Sequence, residues 1–499
     1  MPDIFARLAA LPVWQRFALL SLLGVVGGLG QAPFDLWPAT IIALAILLQV
    51  HTVAPTARRA TLDVWCFGLG YFGFTLHWIV EPFLVDIARH GWMAPFALVL
   101  MAGGAALFWA LAGWLARRVA PGGAMFFGLM LVWAELTRAL ILTGFPWALL
   151  GHIWVPTPLA QLAAFGGPHL LSLITILAAW ALTTLWHRRL VPGPIVIVVL
   201  GGVAGVLGSG PTPELRSDGP LVRIVQPNAP QHLKWDPAYR DVFLNRLLDL
   251  TGQGAVPDLV VWPETAVPSL LNYVQSDLSL LEGAARGAPL VFGIQRLDAA
   301  GAFYNSMVVM GPGGVIRDIY DKRHLVPFGE YIPGARQIEK LGLPGLAGLV
   351  GTGFTPGTQG DPLMIPGIGL AVPLICYEGI FAEEIVTGPT RPRLMVLITN
   401  DAWFGQAAGP HQHLAQARLR AIEQGLPMVR AANTGISAMI DAKGRIVDQV
   451  SLGVAGAIDV PLPLALPATP YARRGEWPFV GVLILLTFGF YAGGRRFGN

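Results

Sequence analysis

The sequence predicts a polytopic α-helical membrane protein that carries an extracytoplasmic α/β domain, and the uneven distribution of apolar residues is the main reason. Of the 499 residues, 54% are hydrophobic and only 13% are charged, and the mean hydropathy is +0.58. This composition is too apolar for a soluble enzyme of such length. Long apolar runs lie in residues 1–210 and 477–494, whereas residues 219–460 have an ordinary globular composition. A membrane domain is therefore predicted to flank a soluble one.

Eight apolar runs are long enough to cross roughly 30 Å of hydrocarbon, seven before the soluble domain and one after it. They cover residues 17–29, 36–53, 64–80, 93–116, 124–142, 169–186, 194–207 and 477–494. Arg7 and Arg16 precede the first run, as in a signal peptide. No small-residue cleavage site precedes the next run, so we expect the first helix to be retained.

The arginine pairs predict the orientation in the membrane. One pair follows each even-numbered span: 58–59, 117–118, 188–189 and 495–496. The positive-inside rule makes this side cytoplasmic, so both termini are expected inside and the soluble domain outside. The pair at 473–474, just before the last span, is the exception, and it could instead meet anionic lipid head groups.

Cys376 lies where a buried strand is predicted to end. Residues 368–375 are almost wholly apolar, and Glu378 and Gly379 end the run. A thiol at a strand-to-turn junction is held rigidly, and nearby backbone N–H groups can face a developing oxyanion. Most free cysteines are instead small core hydrophobes, so this position alone leaves both interpretations open. The only other cysteine, Cys66, lies in a predicted span, and a lone extracytoplasmic thiol favours a catalytic role.

Two further predicted strands end near residues that such a thiol requires. The apolar run 259–261 is followed by Glu264, and the run 315–319 is followed by Lys322. A thiol needs a base in order to become a thiolate, and a cation stabilises both the thiolate and the oxyanion that it makes. Glu264, Lys322 and Cys376 therefore form the minimum set for nucleophilic thiol chemistry.

The strings around these three residues resemble the nitrilase superfamily of carbon-nitrogen hydrolases. They are Trp-Pro-Glu at 262–264, a lysine followed eight residues later by Glu330, and Cys-Tyr-Glu at 376–378. The fuller strings at 324–330 and 400–405 resemble the membrane branch of that superfamily, the apolipoprotein N-acyltransferases. The resemblance implies an α-β-β-α sandwich with a Glu264–Lys322–Cys376 triad. It also implies a bacterial inner membrane location, with the catalytic domain in the periplasm.

The resemblance further implies the reaction and its partners. An acyl chain would pass from a phospholipid to a thioester on Cys376, and then to the N-terminal α-amine of a diacylated lipoprotein precursor. Soluble hydrolases of the superfamily commonly carry an arginine shortly after the cysteine. Ile380 and Phe381 occupy that region here, which suits an apolar acyl chain.

Five further residues are predicted to support the site. Glu330 and Glu378 would keep the lysine charged and in position, although either could simply form a structural ion pair. The Tyr377 backbone N–H is expected to help bind the oxyanion. Trp235 matches a family aromatic expected near the lipid, and Asn305 is expected to line the site.

Other constellations predict nothing further. His411 and His413 have no accompanying ligand pattern, so no metal site is expected, and no nucleotide fingerprint or other cofactor signature is present. A net charge of +3 without a basic tract gives no case for nucleic acid. The oligomeric state stays open, with a monomer expected.

Two alternatives from other classes remain open at the level of sequence. A membrane-anchored amidase acting on a small amide would use the same triad and release a free acid. A transporter or receptor with a degenerate outer domain would not depend on Cys376. The Gly- and Pro-rich stretch 328–357 is further expected to form mobile lids with apolar tips at Leu341, Leu343, Leu346 and Leu349.

Overall fold

A computed structural model of the protein describes residues 5, 7–8, 10–186, 192–209, 219–334, 353–385 and 388–496. The chain forms two compact units. The first comprises Met1–Thr212, Ala407–Glu423 and Thr469–Asn499, and the second comprises Pro213–Gln406 and Gln424–Ala468. The four leucines at the tips of the expected lids lie outside the described residues.

The first unit is helical. Its helices are Val13–Gly28, Trp37–Val53, Ala57–Thr75, Glu81–Leu84, Ile87–His90, Ala94–Val119, Ala124–Leu140, Ala163–Trp186, Pro192–Gly208, Ala408–Gln424, Pro470–Arg474 and Trp477–Arg496. Short 3-10 helices lie at His77–Val80, Gly91–Met93, Leu150–Trp154 and Pro158–Leu162. Every predicted span thus overlaps a helix.

Two helical stretches are long and apolar enough to cross a membrane, Ile87–Val119 and Pro158–Leu185. Shorter apolar helices of 10–17 residues lie at Val13–Gly28, Trp37–Val53, Gly193–Gly208 and Trp477–Ala492. The structure therefore supports a helical unit with candidate spans, while the number of eight spans stays a prediction.

The third predicted span, residues 64–80, differs from the helix that forms. The helix is Ala57–Thr75, because the Thr56 side chain accepts a hydrogen bond from the Arg59 N–H and caps the helix before the apolar run begins. The charged Asp63 in its second turn is buried, and its Oδ1 lies 2.6 Å from the Arg16 Nε. This pairing places a charged residue inside a helical bundle.

Buried polar side chains also organise the first unit around residues 145–150. Arg138 donates hydrogen bonds to the carbonyl oxygens of Phe145 and Trp147, at 2.5 and 2.8 Å. Glu135, one turn earlier on the same helix, accepts a 2.9 Å hydrogen bond from the Leu150 N–H. Glu135 and Arg138 therefore hold the chain that follows their helix.

The second unit contains two six-stranded sheets. The strands are β1 Leu221–Gln226, β2 Leu259–Val261, β3 Leu290–Leu297, β4 Phe303–Gly311, β5 Val315–Asp321, β6 Leu363–Ile365, β7 Gly369–Ile375, β8 Leu394–Thr399, β9 Met428–Ala432, β10 Ser437–Ile440, β11 Ile446–Val450 and β12 Gly456–Pro461. The helices are Gln231–Lys234, Arg240–Gly252 and Gln275–Ala285, with short 3-10 helices at Leu271–Tyr273, Pro312–Gly314, Cys376–Ile380, Ala382–Glu384 and Asp401–Phe404.

The two sheets have matching topologies. The first has the order β12-β1-β2-β3-β4-β5, and the second has the order β11-β10-β9-β8-β7-β6. Strands β1, β2 and β3 of the first sheet are parallel to one another, and so are β7, β8 and β9 of the second. The strand on either side of each parallel trio pairs antiparallel with it. Strand β1 of the first sheet contacts β9 and β10 of the second, and β4 contacts β6 and β7, so the two sheets pack together.

Apolar side chains on the outer face of the first sheet pack against two helices. Leu247 from helix Arg240–Gly252 and Leu281 from helix Gln275–Ala285 lie in one buried cluster with Trp262, Phe292 and residues of β2 to β4. Because β2 lies between two parallel neighbours, its residues are fully buried, and a continuous apolar run is what such a strand requires. This packing confirms the α/β domain that the sequence predicts.

Candidate active site

Three strands of the second unit end at the predicted triad. Glu264 follows β2, Lys322 follows β5 directly, and Cys376 follows β7 directly. The first two come from one sheet and the third from the other. All three side chains are buried, with 5%, 1% and 5% of their surfaces exposed. The three strands predicted at 259–261, 315–319 and 368–375 therefore form, and a buried residue of the predicted triad follows each of them.

Lys322 lies between two carboxylates. Its Nζ is 2.9 Å from the Glu330 Oε1 and 3.5 Å from the Glu264 Oε1. Its backbone N–H donates a 2.8 Å hydrogen bond to the carbonyl oxygen of Asn305 on β4. Burial by itself lowers the pKa of Lys322, but the charges of Glu330 and Glu264 outweigh burial and raise the pKa above its ordinary value. The ammonium therefore stays charged at neutral pH.

Asn305 joins the two carboxylates. Its Nδ2 donates hydrogen bonds to Glu264 Oε1 at 2.7 Å and to Glu330 Oε1 at 3.2 Å. Because both contacts use the amide nitrogen, the oxygens of both glutamates act as acceptors. The structure places Asn305 between the two carboxylates, and its role in the site stays a prediction.

Backbone N–H groups complete the coordination of both carboxylates. Asn400, which follows β8, donates its backbone N–H to Glu264 Oε2 at 2.8 Å. Val326 donates its backbone N–H to Glu330 Oε2 at 2.7 Å. Each carboxylate is thus held at both oxygens, which fixes its orientation as well as its place.

Cys376 begins a tight turn that leaves β7. It has a φ of +53°, a left-handed conformation that is uncommon for a residue with a Cβ. The turn continues as the 3-10 helix Cys376–Ile380. Such strained backbone persists only where the surroundings hold it, and it commonly occurs at functional sites.

Glu378 holds this turn against the segment that follows Lys322. Its Oε2 accepts a 2.7 Å hydrogen bond from the Ile375 N–H. Its Oε1 accepts hydrogen bonds from the Tyr320 hydroxyl at 2.6 Å and from the Arg323 N–H at 2.7 Å. Glu378 therefore links the nucleophile turn to the chain around the lysine through hydrogen bonds, rather than through an ion pair with the lysine itself.

The electrostatic surroundings keep the Cys376 thiol protonated at neutral pH. Burial raises its pKa well above the usual range, and the Glu264 carboxylate raises it further. The Lys322 ammonium acts in the opposite direction, as does a hydrogen bond with the Thr399 side chain. A thiolate therefore forms only when a neighbouring base takes the proton.

A fully buried ion pair lies on the second sheet behind the nucleophile. The Arg430 guanidinium contacts Asp401 Oδ2 at 2.6 Å, and both side chains have no exposed surface. Thr399 donates a 2.8 Å hydrogen bond to Asp401 Oδ1. Because Thr399 also hydrogen-bonds the thiol, this pair connects the ends of β7, β8 and β9.

The remaining predicted residues occupy the edge of the site. The Tyr377 ring packs edge-on against His324 and Phe381, at centroid distances of 5.4 and 5.0 Å. The Trp235 side chain is 47% exposed and lines a shallow cleft that also contains Phe243. The indole is therefore accessible from solvent, and its contact with a lipid stays a prediction.

Sequence reasoning missed the roles of four residues of the site. Lys234 lies directly before Trp235, yet its Nζ is buried against the turn that carries Glu264. The residues Asn400 and Asp401 belong to a family string that was recognised, but no role followed from the string. Tyr320 gave no signal beyond its place in a strand.

Two family models match this chain. A model described as the apolipoprotein N-acyltransferase N-terminal domain matches residues 23–181, and one described as carbon-nitrogen hydrolase matches residues 221–467. An apolipoprotein N-acyltransferase of Caulobacter vibrioides is 38% identical, covering 95% of this chain and 93% of its own. The chain belongs to the apolipoprotein N-acyltransferase family. A relative from Rhodopseudomonas palustris with the same name is 37% identical over 95% of this chain and 94% of its own.

The second unit is also similar to a solved amidase of Nesterenkonia sp. AN1. The TM-score is 0.39 and the identity 18%, covering 55% of this chain and 99% of that chain. Membership of the apolipoprotein N-acyltransferase family confirms both the resemblance found in the motifs and the acyltransferase activity that it implied. This family is membrane-bound, in agreement with the apolar helices of the first unit.

Proposed function

We propose that the chain transfers an acyl chain from a membrane phospholipid to the α-amine of the diacylglyceryl-modified N-terminal cysteine of a lipoprotein precursor. A thioester on Cys376 is the intermediate. The observation that carries this proposal is the buried cluster in which Lys322 contacts both Glu264 and Glu330, while the charges of Glu264 and Lys322 act on the Cys376 thiol. The name of the relatives supports the choice of acceptor.

In the first half-reaction the thiol attacks the ester carbonyl carbon of the phospholipid. Glu264 accepts the thiol proton as the carbon–sulfur bond forms, because the thiol does not ionise by itself at neutral pH. The ester carbon–oxygen bond then breaks, and the proton passes from Glu264 to the departing oxygen. Lysophospholipid leaves, and the acyl group remains on Cys376 as a thioester.

The tetrahedral intermediate of this step carries a negative charge on oxygen. We assign the Lys322 ammonium and the backbone N–H of Tyr377 to the stabilisation of this oxyanion. Glu330 keeps the ammonium in place from 2.9 Å, and Asn305 keeps the two carboxylates in place. These two residues therefore act as positioning residues.

In the second half-reaction the acceptor amine attacks the thioester carbonyl. Glu264 takes a proton from the amine as the carbon–nitrogen bond forms, and it returns a proton to the sulfur as the carbon–sulfur bond breaks. The products are the amide and the original thiol. Two steps with a thioester between them replace one difficult transfer from an ester to an amine.

We place the reaction at the outer face of the membrane, with eight spans and both termini in the cytoplasm. The arginine pairs support this orientation. A fluorescent protein fused after residue 499 should fluoresce, while alkaline phosphatase at the same place should be inactive, and the opposite pattern would refute the orientation.

The intact mass of the purified protein tests the thioester directly. After incubation with phosphatidylethanolamine in detergent micelles, we expect a mass gain of one acyl chain, which hydroxylamine removes. Cys376→Ala should gain no mass. Cys66→Ala is the matched control, because its thiol lies in the first unit, and it should be acylated like the wild type.

Two results would contradict the proposal. Absence of the adduct in folded wild-type protein with accessible lipid would exclude a lipid-derived thioester. Hydrolysis of a small soluble amide without acyl transfer to a diacylated peptide would favour the amidase alternative.

A further inference from the structure

A second buried lysine lies against the turn that carries Glu264. Lys234 ends the short helix Gln231–Lys234, and only 8% of its surface is exposed. Its Nζ donates a 3.1 Å hydrogen bond to the Glu264 carbonyl oxygen and a 2.7 Å hydrogen bond to Thr265 Oγ1. Neither of the two proposed half-reactions uses this lysine directly.

The turn that Lys234 contacts is strained. Thr265 has a φ of +46°, which is rare for a β-branched residue. The turn is also packed closely against β3, since a Cβ at Gly293 would lie 2.4 Å from the Thr265 nitrogen and 2.6 Å from the Glu264 Cα. A backbone conformation of this kind needs contacts that hold it, and the Lys234 hydrogen bonds are such contacts.

Burial of an amine is unfavourable, which argues against a merely space-filling role. Desolvation lowers the pKa of Lys234 to about 8, although the charges of Glu264 and Cys376 act against this. Methionine would fill a similar volume without that penalty. The lysine is therefore retained for what its nitrogen contacts.

We propose that Lys234 is a positioning residue for the general base, which holds the Glu264–Thr265 main chain so that the carboxylate faces Cys376. The inference rests on the proposed roles of Glu264 and Cys376. Both half-reactions use the same carboxylate, so loss of the lysine slows both by a similar factor. The proposed role concerns the orientation of the base in the chemical steps, so we expect kcat to fall while KM stays nearly unchanged.

The decisive variants are Lys234→Met, which removes the donors, and Lys234→Arg, which keeps a charged donor. Thioester formation is followed by intact mass with phosphatidylethanolamine micelles, and its aminolysis with a synthetic diacylglyceryl-cysteine peptide. We expect Lys234→Met to lower kcat of both steps roughly 10- to 100-fold, as misplacement of a catalytic group by about 1 Å does. KM should change less than about twofold, and Lys234→Arg should recover part of the rate.

Two controls separate positioning from a general loss of structure. Lys443→Met makes the same change in the turn between β10 and β11 and should leave both rates unchanged. Thr265→Val removes one acceptor of the Lys234 hydrogen bonds and, as a single substitution, should slow both steps modestly. Combined with Lys234→Met, it should slow them little further, because the donor is already absent. This second variant also keeps the proposal testable if Lys234→Met does not fold.

Three outcomes would overturn the inference. They are wild-type rates in Lys234→Met, an effect confined to KM, and an effect on only one of the two half-reactions. Failure of the proposed function is a separate result, because the wild type itself would then form no thioester.

Discussion

The Tyr320 hydroxyl donates a 2.6 Å hydrogen bond to Glu378 Oε1. Tyr320 lies two residues before Lys322, and Glu378 lies two residues after Cys376, so this contact joins the chain around the lysine to the chain around the thiol. Both side chains are buried, and burial raises the pKa of Glu378 while its hydrogen bonds lower it. The separation between lysine and thiol therefore depends on a residue pair that need not touch the substrate.

Glu378→Gln should lower both stability and the rate of thioester formation. The carboxylate accepts hydrogen bonds at both oxygens, and a glutamine would turn an NH₂ group toward backbone N–H donors. We expect a loss of roughly 2–4 kcal/mol in the free energy of unfolding, since more than one buried donor loses its acceptor. Thermal unfolding in detergent and the intact-mass assay measure the two effects.

Two variants calibrate that result. Tyr320→Phe removes one donor and should cost about 1 kcal/mol. Glu384 contacts His324 at 2.7 Å, but its side chain is about one-third exposed. Glu384→Gln should therefore have little effect on the free energy of unfolding or on the rate of thioester formation. Equal effects of the substitutions at 378 and 384 would contradict the bridging role of Glu378.

Glu264→Gln should make thioester formation depend on hydroxide. The thiol has a raised pKa, so without the base it must ionise by itself. The rate at neutral pH should fall roughly 10²- to 10⁴-fold. The residual rate should then rise about tenfold per pH unit between about pH 7 and pH 9, because the thiolate fraction does so below the pKa.

In the wild type, the rate of thioester formation should depend much less on pH over the same range. Glu282→Gln, on helix Gln275–Ala285, is the control and should behave like the wild type. A flat pH profile for Glu264→Gln would mean that another group accepts the thiol proton.

Lys322→Met should abolish most activity and also destabilise the second unit. The oxyanion loses one donor, which costs roughly 10²- to 10³-fold in kcat. Glu264 and Glu330 lose the buried cation between them, and removing one partner of a buried ion pair costs about 3–5 kcal/mol. Arg445→Met breaks the partly exposed pair with Asp441 and should cost about 1 kcal/mol or less. An active Lys322→Met enzyme would refute the oxyanion role.

Asn305→Asp should be more harmful than Asn305→Ala, although aspartate has nearly the shape of asparagine. The new carboxylate would lie within hydrogen-bond distance of Glu264 and Glu330, and three carboxylates beside one lysine cannot all stay ionised. We expect thioester formation at pH 7 to be at least about tenfold slower in the aspartate variant than in the alanine variant. An aspartate variant as active as the alanine variant would show that charge at this position is unimportant.

Lys234 should make the free energy of unfolding depend on pH in the alkaline range. Its pKa is about 8 in the folded protein and 10.5 for an unburied lysine, so the unfolded chain binds more protons between these values. The wild type should therefore gain stability relative to Lys234→Met as pH rises from about 8 to 10.5, by roughly 3 kcal/mol at most. Below about pH 8 the lysine is charged in both states and the difference should be constant. Thermal unfolding of both proteins at pH 7.5 and pH 10 measures this difference in stability. A difference that falls as pH rises would contradict the lowered pKa of Lys234.

Much of the second unit could be predicted because strands β2, β7 and β8 are largely buried, which makes them apolar along their length. The runs 259–261, 315–319 and 368–375 predicted strands, which form at Leu259–Val261, Val315–Asp321 and Gly369–Ile375. The continuous apolar runs at 259–261 and 368–375 are local signals, as is the strand-like pattern at 315–319, which includes Arg317 and Asp318. No knowledge of the partner strands was required. The boundaries differ by two residues at most.

The supporting residues could be predicted only in part. Asn305 was expected in the site and lies between the two carboxylates. The Asn400 backbone N–H also holds Glu264, across a separation of 136 residues, and a backbone donor leaves no mark on residue type. Lys234 was overlooked because the neighbouring tryptophan carried the family resemblance.

The sequence by itself determined the uneven division into apolar and globular parts, the order of Glu264, Lys322 and Cys376, and the strand that precedes each of them, since composition and local apolar runs encode these. Only the tertiary structure decided which groups meet at the site. The packing of two sheets with matching topologies brings together strand ends that lie far apart in the chain, and such contacts depend on register and burial rather than on local pattern. For this reason the link between Tyr320 and Glu378, and the contact of Lys234 with the Glu264 turn, became visible only in the folded molecule.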